Sequence, residues 1–255
     1  ADFSILDEAS KILIKTSDLL VIRNPYVVLG LVITAVFILF ATIKMPHYKD
    51  KNEMPSIGNT FSSLAKDKKY VFGVIAQFLN VGAMIMCWTY IYQYAEAIGI
   101  SSVTAGYFQM AAFILFTIGR GFGTYLLRFI NAGKLLMYFA LLAMVFILGT
   151  VFITGIIGLY SLVLVSFCLS LMFPTIYGIA LGNLNEEQSK IGSAGLVMAI
   201  VGSALLPKLQ GAMIDIGGRG VNDMVIIGVS EVNFSFLLPL LCFAYIAMYG
   251  SKIGQ

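Results

Sequence analysis

Seven times along the chain an apolar run recurs that is long enough to cross a bilayer as a helix, which takes roughly 18 to 20 residues. The runs lie at about Tyr26–Ile43 and near 71–95, 104–127, 134–154, 157–183, 191–214 and 233–250. The backbone of a spanning segment must satisfy its own hydrogen bonds, so such a pattern leaves few folds open. Composition agrees. Of 255 residues, 59% are hydrophobic and 11% are charged, with a mean hydropathy of +0.92. Soluble domains carry about 25% charged residues. The expectation is an all-α, multi-pass membrane protein embedded in the lipid bilayer.

Several function classes drop out. The net charge is +3, and the basic residues gather in a few loops without forming a nucleic-acid patch. Cys87, Cys168 and Cys242 each sit inside an apolar run, His47 is the single histidine, and no metal-ligand spacing is present, so no metal or cofactor is expected. The opening "ADFSILDEASKIL" has neither a basic n-region nor a cleavage pattern and reads as the middle of something longer. The connections at 96–103 and 155–158 are too short to house an active site, and no nucleophile–base pair is visible, which argues against a membrane enzyme.

Lysine and arginine orient the chain. Lys44, Lys49, Lys51, Lys66, Lys68, Lys69, Arg120, Arg128, Lys134, Lys190 and Lys252 fall on one side. Lys11, Lys15, Arg23 and Arg219 fall on the other, and Lys208 lies within a span. The positive-inside rule puts the Lys44–Lys69 loop and the C-terminus in the cytoplasm. Four regions follow. Residues 1–25 form an extracytoplasmic segment whose stretch from Ser4 to Ile22 is amphipathic, either an interfacial helix or an ordinary helical loop. Residues 26–43 are one span, begun at Asn24-Pro25 and ended at Lys44 and Pro46. Residues 44–70 are a cytoplasmic loop, and 71–255 are a six-helix domain. Six helices after a long basic loop match half of a transporter built from two six-helix halves. On that reading the first span is the last helix of a preceding half.

Polar side chains inside the spans mark candidate chemistry, because they are costly there unless they face a cavity or a partner. Gln77, Asn80, Met84, Trp88 and Ile91 fall on one helical face. Amides suit sugar hydroxyls, and an indole offers a flat face with an N–H at its edge. This half-site reading is preferred to one in which the amides bond to neighbouring helices. Gln109, near Phe108 and Phe113, admits both readings. Asn183 reads as a cap or loop contact. Pro174 removes a backbone hydrogen bond in the fifth segment of the seven and either bends it for rocking or kinks it statically. Gly119, Gly121 and Gly123 precede Arg128 in an apolar helix, where small residues permit close approach. Arg120 and Arg128, near the cytoplasmic face, serve as a conformational latch or as topology anchors. Lys208 snorkels or pairs with a carboxylate. Glu96 and Asp215 sit near outer ends, so no coupling carboxylate is expected at mid-membrane in this chain.

Four motifs come in order: "AQFLNVGAMIMCWTY" (Ala76 to Tyr90), "GRGFGTYLLRF" (Gly119 to Phe129), "FPTIYGIALGNL" (Phe173 to Leu184) and "PKLQGAMID" (Pro207 to Asp215). From Asn24 to Tyr249 the chain resembles the C-terminal half of the fucose–proton symporter family, within the major facilitator superfamily. The resemblance implies a twelve-helix fold and a monosaccharide (fucose, glucose or galactose) carried inward with protons across a bacterial inner membrane. It also implies coupling carboxylates in the first half, and a substrate site in which Gln77, Asn80, Trp88, Gln109 and Phe173 take part. Met84 and Phe173 depart from positions where relatives carry hydrogen-bonding groups, which bears on the identity of the sugar. The alternative is a truncated or accessory membrane protein without transport activity of its own.

Overall fold

In a computed structural model the chain is almost entirely helical, and the structure describes residues 8–43, 57–218, 220 and 224–252. Among the described residues seven helices, some of them interrupted, are long and apolar enough to cross a membrane. They fall in two compact units, 1–53 and 54–255.

The first unit holds α1 (Glu8–Thr42). Its spanning part is Arg23–Thr42. The expected break at Asn24-Pro25 does not occur: Pro25 lies inside one continuous helix. A proline interrupts only its own N–H and the carbonyl one turn back, and a helix with good formers on both sides continues through it. Ser4 to Asp7 of the expected amphipathic segment lie outside the described residues, as do His47, Lys44, Lys49, Lys51 and Arg219.

The second unit opens with α2 (Ile57–Lys66), where a loop was expected. Leu64 is buried with Tyr70, Ala180 and Leu196, so this short helix is fixed by one apolar anchor. Thr60 donates to Glu187 Oε1 at 2.7 Å, and Gln188 Nε2 donates to Ser63 Oγ at 3.0 Å, tying α2 to the start of the later helix Glu186–Met198.

Then follow α3 (Lys68–Thr89), α4 (Ile91–Ala97), α5 (Ser102–Leu126), α6 (Ala132–Phe152) and α7 (Ile156–Leu181). After them come α8 (Glu186–Met198), a 3₁₀ turn (Ala199–Val201), α9 (Gly202–Ile214), α10 (Glu231–Ser235) and α11 (Leu237–Lys252). A two-residue hairpin, β1 (Val225–Ile226) and β2 (Val229–Ser230), precedes α10. The six spans of this unit are α3–α4, α5, α6, α7, α8–α9 and α10–α11. Polar residues set their starts. Asp67 accepts from the Tyr70 N–H, Ser101 from Thr104, Asn131 from Gly133 and Ser230 from Asn233. Asn185 and Gln188 form a reciprocal capping box on α8. Gly155, at φ +85°, turns the chain into α7.

α3 packs on α7, α9 and α11, while α6 bridges α7 and α11 and α5 lies against α7. The core is apolar and continuous, from Ala76, Met86 and Ile91 through Leu136, Ala143 and Ile147 to Leu162, Cys168 and Phe243. The outside is apolar too: Leu141, Val145, Leu148 and Phe152 form one exposed stripe along α6. An apolar core inside an apolar exterior is the pattern of a helix bundle solvated by lipid.

Candidate functional site

α3 and α7 run antiparallel, and two contacts set their register. A methyl on Gly73 would sit 2.7 Å from Ala180 Cβ, and Trp88 Nε1 donates to Ser166 Oγ at 3.1 Å. Between these points one step up α3 matches one step down α7. Gln77 is therefore level with Ile176 and Tyr177, Asn80 with Phe173, and Met84 with Leu169 and Ser170. Ser166, Phe173 and Ala180 recur every seven residues, so they share one stripe of α7. The seam brings four of the five expected contact residues, Gln77, Asn80, Trp88 and Phe173, onto two adjoining helices.

The two amides are placed differently from either sequence-based expectation. Gln77 is 0% exposed and Asn80 1%, so neither faces an open cavity in this conformation. Neither bonds to a neighbouring helix: among the described residues, both polar atoms of both side chains lack a hydrogen-bond partner. An unpartnered buried amide costs several kcal/mol in hydrocarbon, at roughly 4–8 in the fully apolar limit. The reason for the enclosure is that α3 is the helix on which α7, α9 and α11 converge.

From Asn80 toward Trp88 the seam becomes aromatic. Trp88 is half-buried and meets Phe113 edge-on at 4.9 Å and Phe116 at 5.2 Å between ring centroids. Gln109, Phe113, Phe116 and Arg120 form one stripe of α5 at helical spacing. Gln109 is half-buried, and its Oε1 has no partner among the described residues. Phe173 is half-buried and stacks on Tyr177 with ring planes 12° apart. Phe116, Ser166 and Tyr177 were not singled out from sequence. The signal for Phe116 was present in the i, i+4, i+7 spacing from Gln109. Nothing local marks Ser166, whose role comes from meeting Trp88.

The two arginines are separated. Arg128 is exposed in the turn after α5. Arg120 is also exposed, but its guanidinium reaches back over the Phe116 ring, 5.0 Å from the centroid, to the Ser170 carbonyl in the middle of α7. That head group is thus deeper than the sequence alone suggested. Gly119 and Gly123 are buried and Gly121 is exposed. A methyl on Gly119 would sit 2.5 Å from the Phe167 carbonyl oxygen, and one on Gly123 would sit 3.0 Å from Leu171 Cδ1. The close approach of α5 to α7 therefore rests on a four-residue glycine spacing, as small-xxx-small seams do.

Pro174 is exposed and lines a cavity of about 370 Å³ with Lys69, Leu127, Thr175 and Gly178. Asn183 is exposed in the turn after α7, where Asn185 is the capping residue of α8. Glu96 and Asp215, far apart in sequence, line one polar cavity of about 380 Å³ with Tyr90 and Gln93. Lys208 is exposed on α9. Glu231 is 0% exposed at the start of α10.

The chain is 48% identical over 251 residues to the L-fucose-proton symporter of Haemophilus influenzae, across 98% of this chain and 57% of that protein. It is 31% identical over 233 residues to a glucose/galactose transporter of Brucella abortus, across 90% of this chain and 53% of that one. Its fold superposes on a crystal structure of the E. coli fucose:proton symporter FucP with a TM-score of 0.80 at 28% identity, covering 98% of this chain and 59% of FucP. The chain thus spans a little over half the length of the relatives it matches. The sequence profile of the Major Facilitator Superfamily matches residues 12–207. With the profile covering most of its length and the fold superposing throughout, this chain belongs to the Major Facilitator Superfamily, a family of membrane transporters.

Proposed function

We propose that this chain forms the C-terminal half, with the span before it, of a proton-coupled monosaccharide symporter that works by alternating access. The observation that carries the reading is its similarity, along nearly its whole length, to a protein named for L-fucose–proton symport. The substrate is a monosaccharide of the fucose, glucose or galactose class, since relatives named for each align with it.

In this reading the α3–α7 seam is this chain's share of the sugar site. Trp88 and Phe173 supply flat apolar faces for the ring, and Gln109 supplies an amide at the outer rim. Gln77 and Asn80 supply amides deeper in. Their unpartnered donors and acceptors match what sugar hydroxyls require, and a sugar or the water around it reaches them when α7 shifts against α3. Pro174 gives α7 a bend at the level of Asn80, and Arg128 anchors the cytoplasmic end of α5.

Protons are the coupling ion. Among the described residues of the six spans and their caps, the acidic side chains sit at helix ends and none at mid-depth: Glu96, Asp215 and Glu231 at the outer end, Asp67, Glu186 and Glu187 at the cytoplasmic end. A coupling carboxylate must be reachable from each side in turn, so we place it in the half of the transporter that precedes these helices. The bacterial relatives support an inner membrane, and the distribution of lysine and arginine supports an orientation with the 44–69 loop and the C-terminus in the cytoplasm.

The test is proton flux in cells or vesicles expressing the full-length transporter under weak buffering. Addition of L-fucose, D-glucose or D-galactose is expected to alkalinise the outside medium for at least one sugar, with matching uptake of labelled sugar. Silence to all three would overturn the reading.

A further inference from the structure

Pro174 has no N–H, so the carbonyl one turn earlier, that of Ser170, loses its usual intrahelical donor four residues on. Arg120 on α5 fills that place. Its Nε and Nη2 each lie 3.3 Å from the Ser170 oxygen. The geometry around the contact is built to bring the two together. Gly119, the residue before Arg120, lacks the Cβ that would strike the Phe167 carbonyl and Ser170 Oγ, so the α5 backbone lies directly against this turn of α7. Ser170 Oγ is turned away, donating to Phe167 O at 2.7 Å, which leaves the Ser170 carbonyl to the guanidinium. The Phe116 ring supports the cation from the other side.

A free carbonyl at mid-membrane is costly, and membrane helices tolerate proline only where a neighbour satisfies it. A guanidinium on a long stem suits the task, because its planar fork can offer two N–H groups to one oxygen. We infer that Arg120 is a positioning residue that caps the proline-freed carbonyl of Ser170 in trans, coupling the bend of α7, and with it Phe173, to α5. Arg120 is then more than a topology anchor. It makes α5 and α7 move as one body at the level of the α3–α7 seam. Its role is tied to Pro174: with an N–H at position 174, α7 would satisfy its own carbonyl and the arginine would become dispensable.

The experiment is hydrogen–deuterium exchange on the full-length transporter in detergent, read on peptides covering residues 166–181. Arg120→Met keeps the long apolar stem but removes every donor. In the presence of Pro174 it is expected to speed exchange across this stretch by at least fivefold. Pro174→Ala alone, and Pro174→Ala with Arg120→Met, are expected to exchange alike, within about twofold. The inference is overturned if Arg120→Met speeds exchange equally in both backgrounds, or in neither. L-fucose uptake gives the functional counterpart: the double variant recovers to the rate of Pro174→Ala, whereas Arg120→Met alone falls below it. Lack of fucose uptake by the unaltered protein would count against the substrate reading and leave the exchange result to decide this one.

Discussion

The indole N–H of Trp88 on α3 is held by the hydroxyl of Ser166 on α7, 3.1 Å away. Ser166 is fully buried, so the bond fixes the indole plane from behind while Phe113 and Phe116 flank its edge. The ring that the proposed sugar would stack on is therefore oriented by the neighbouring helix. Ser166→Ala leaves a partly buried N–H without its partner and should lower stability by about 1 kcal/mol. Thermal unfolding of the detergent-solubilised full-length protein measures this. The same variant should weaken sugar binding, because the indole is free to turn.

The glycines of α5 make a sharper, stereochemical prediction. Gly119→Ala pushes a methyl against a backbone oxygen that cannot move alone, which should cost about 1–3 kcal/mol. Gly121→Ala meets nothing within 4 Å and should be within about 0.5 kcal/mol of the unaltered protein. The two melting curves, run side by side, check the seam.

Asn233 is a third test point. It is buried, its Nδ2 donates to the Thr150 carbonyl at 2.9 Å, and Ser230 Oγ donates to its Oδ1 at 2.8 Å. It thereby ties α10 to the end of α6. Asn233→Ala should destabilise the protein by about 1–3 kcal/mol through the groups left unpaired. The loss should show as faster exchange at 150–155 and 230–236 while the opposite ends of the helices stay protected.

The spans were legible in the sequence because each is a long apolar run between polar caps, and α5, α6 and α7 start within two residues of where the runs begin. The joints were not. The kinks at Tyr90 and at the 3₁₀ turn after Met198 interrupt runs whose hydropathy does not change there, and α1 passes through Pro25 because a proline weakens a helix without obliging it to end. The seam residues were half legible. Helical spacing alone aligned Gln77, Asn80 and Trp88. That Asn80 is level with Phe173, or that Arg120 reaches Ser170, depends on how two helices lie against each other, which no single segment encodes. The full enclosure of Gln77 and Asn80 was unreadable for the same reason.

The most direct measurement concerns Asn80, the amide deepest in the α3–α7 seam for which no partner is found within the described residues. Asn80→Leu fills the same space without a polar group, and replacing an unpartnered buried amide by an apolar side chain is neutral or stabilising. If the seam is this chain's part of the sugar site, the full-length Asn80→Leu protein melts at or above the temperature of the unaltered one. Its sugar uptake and sugar binding fall at least tenfold. A variant equally stable that still carries the sugar at the unaltered rate would contradict the account.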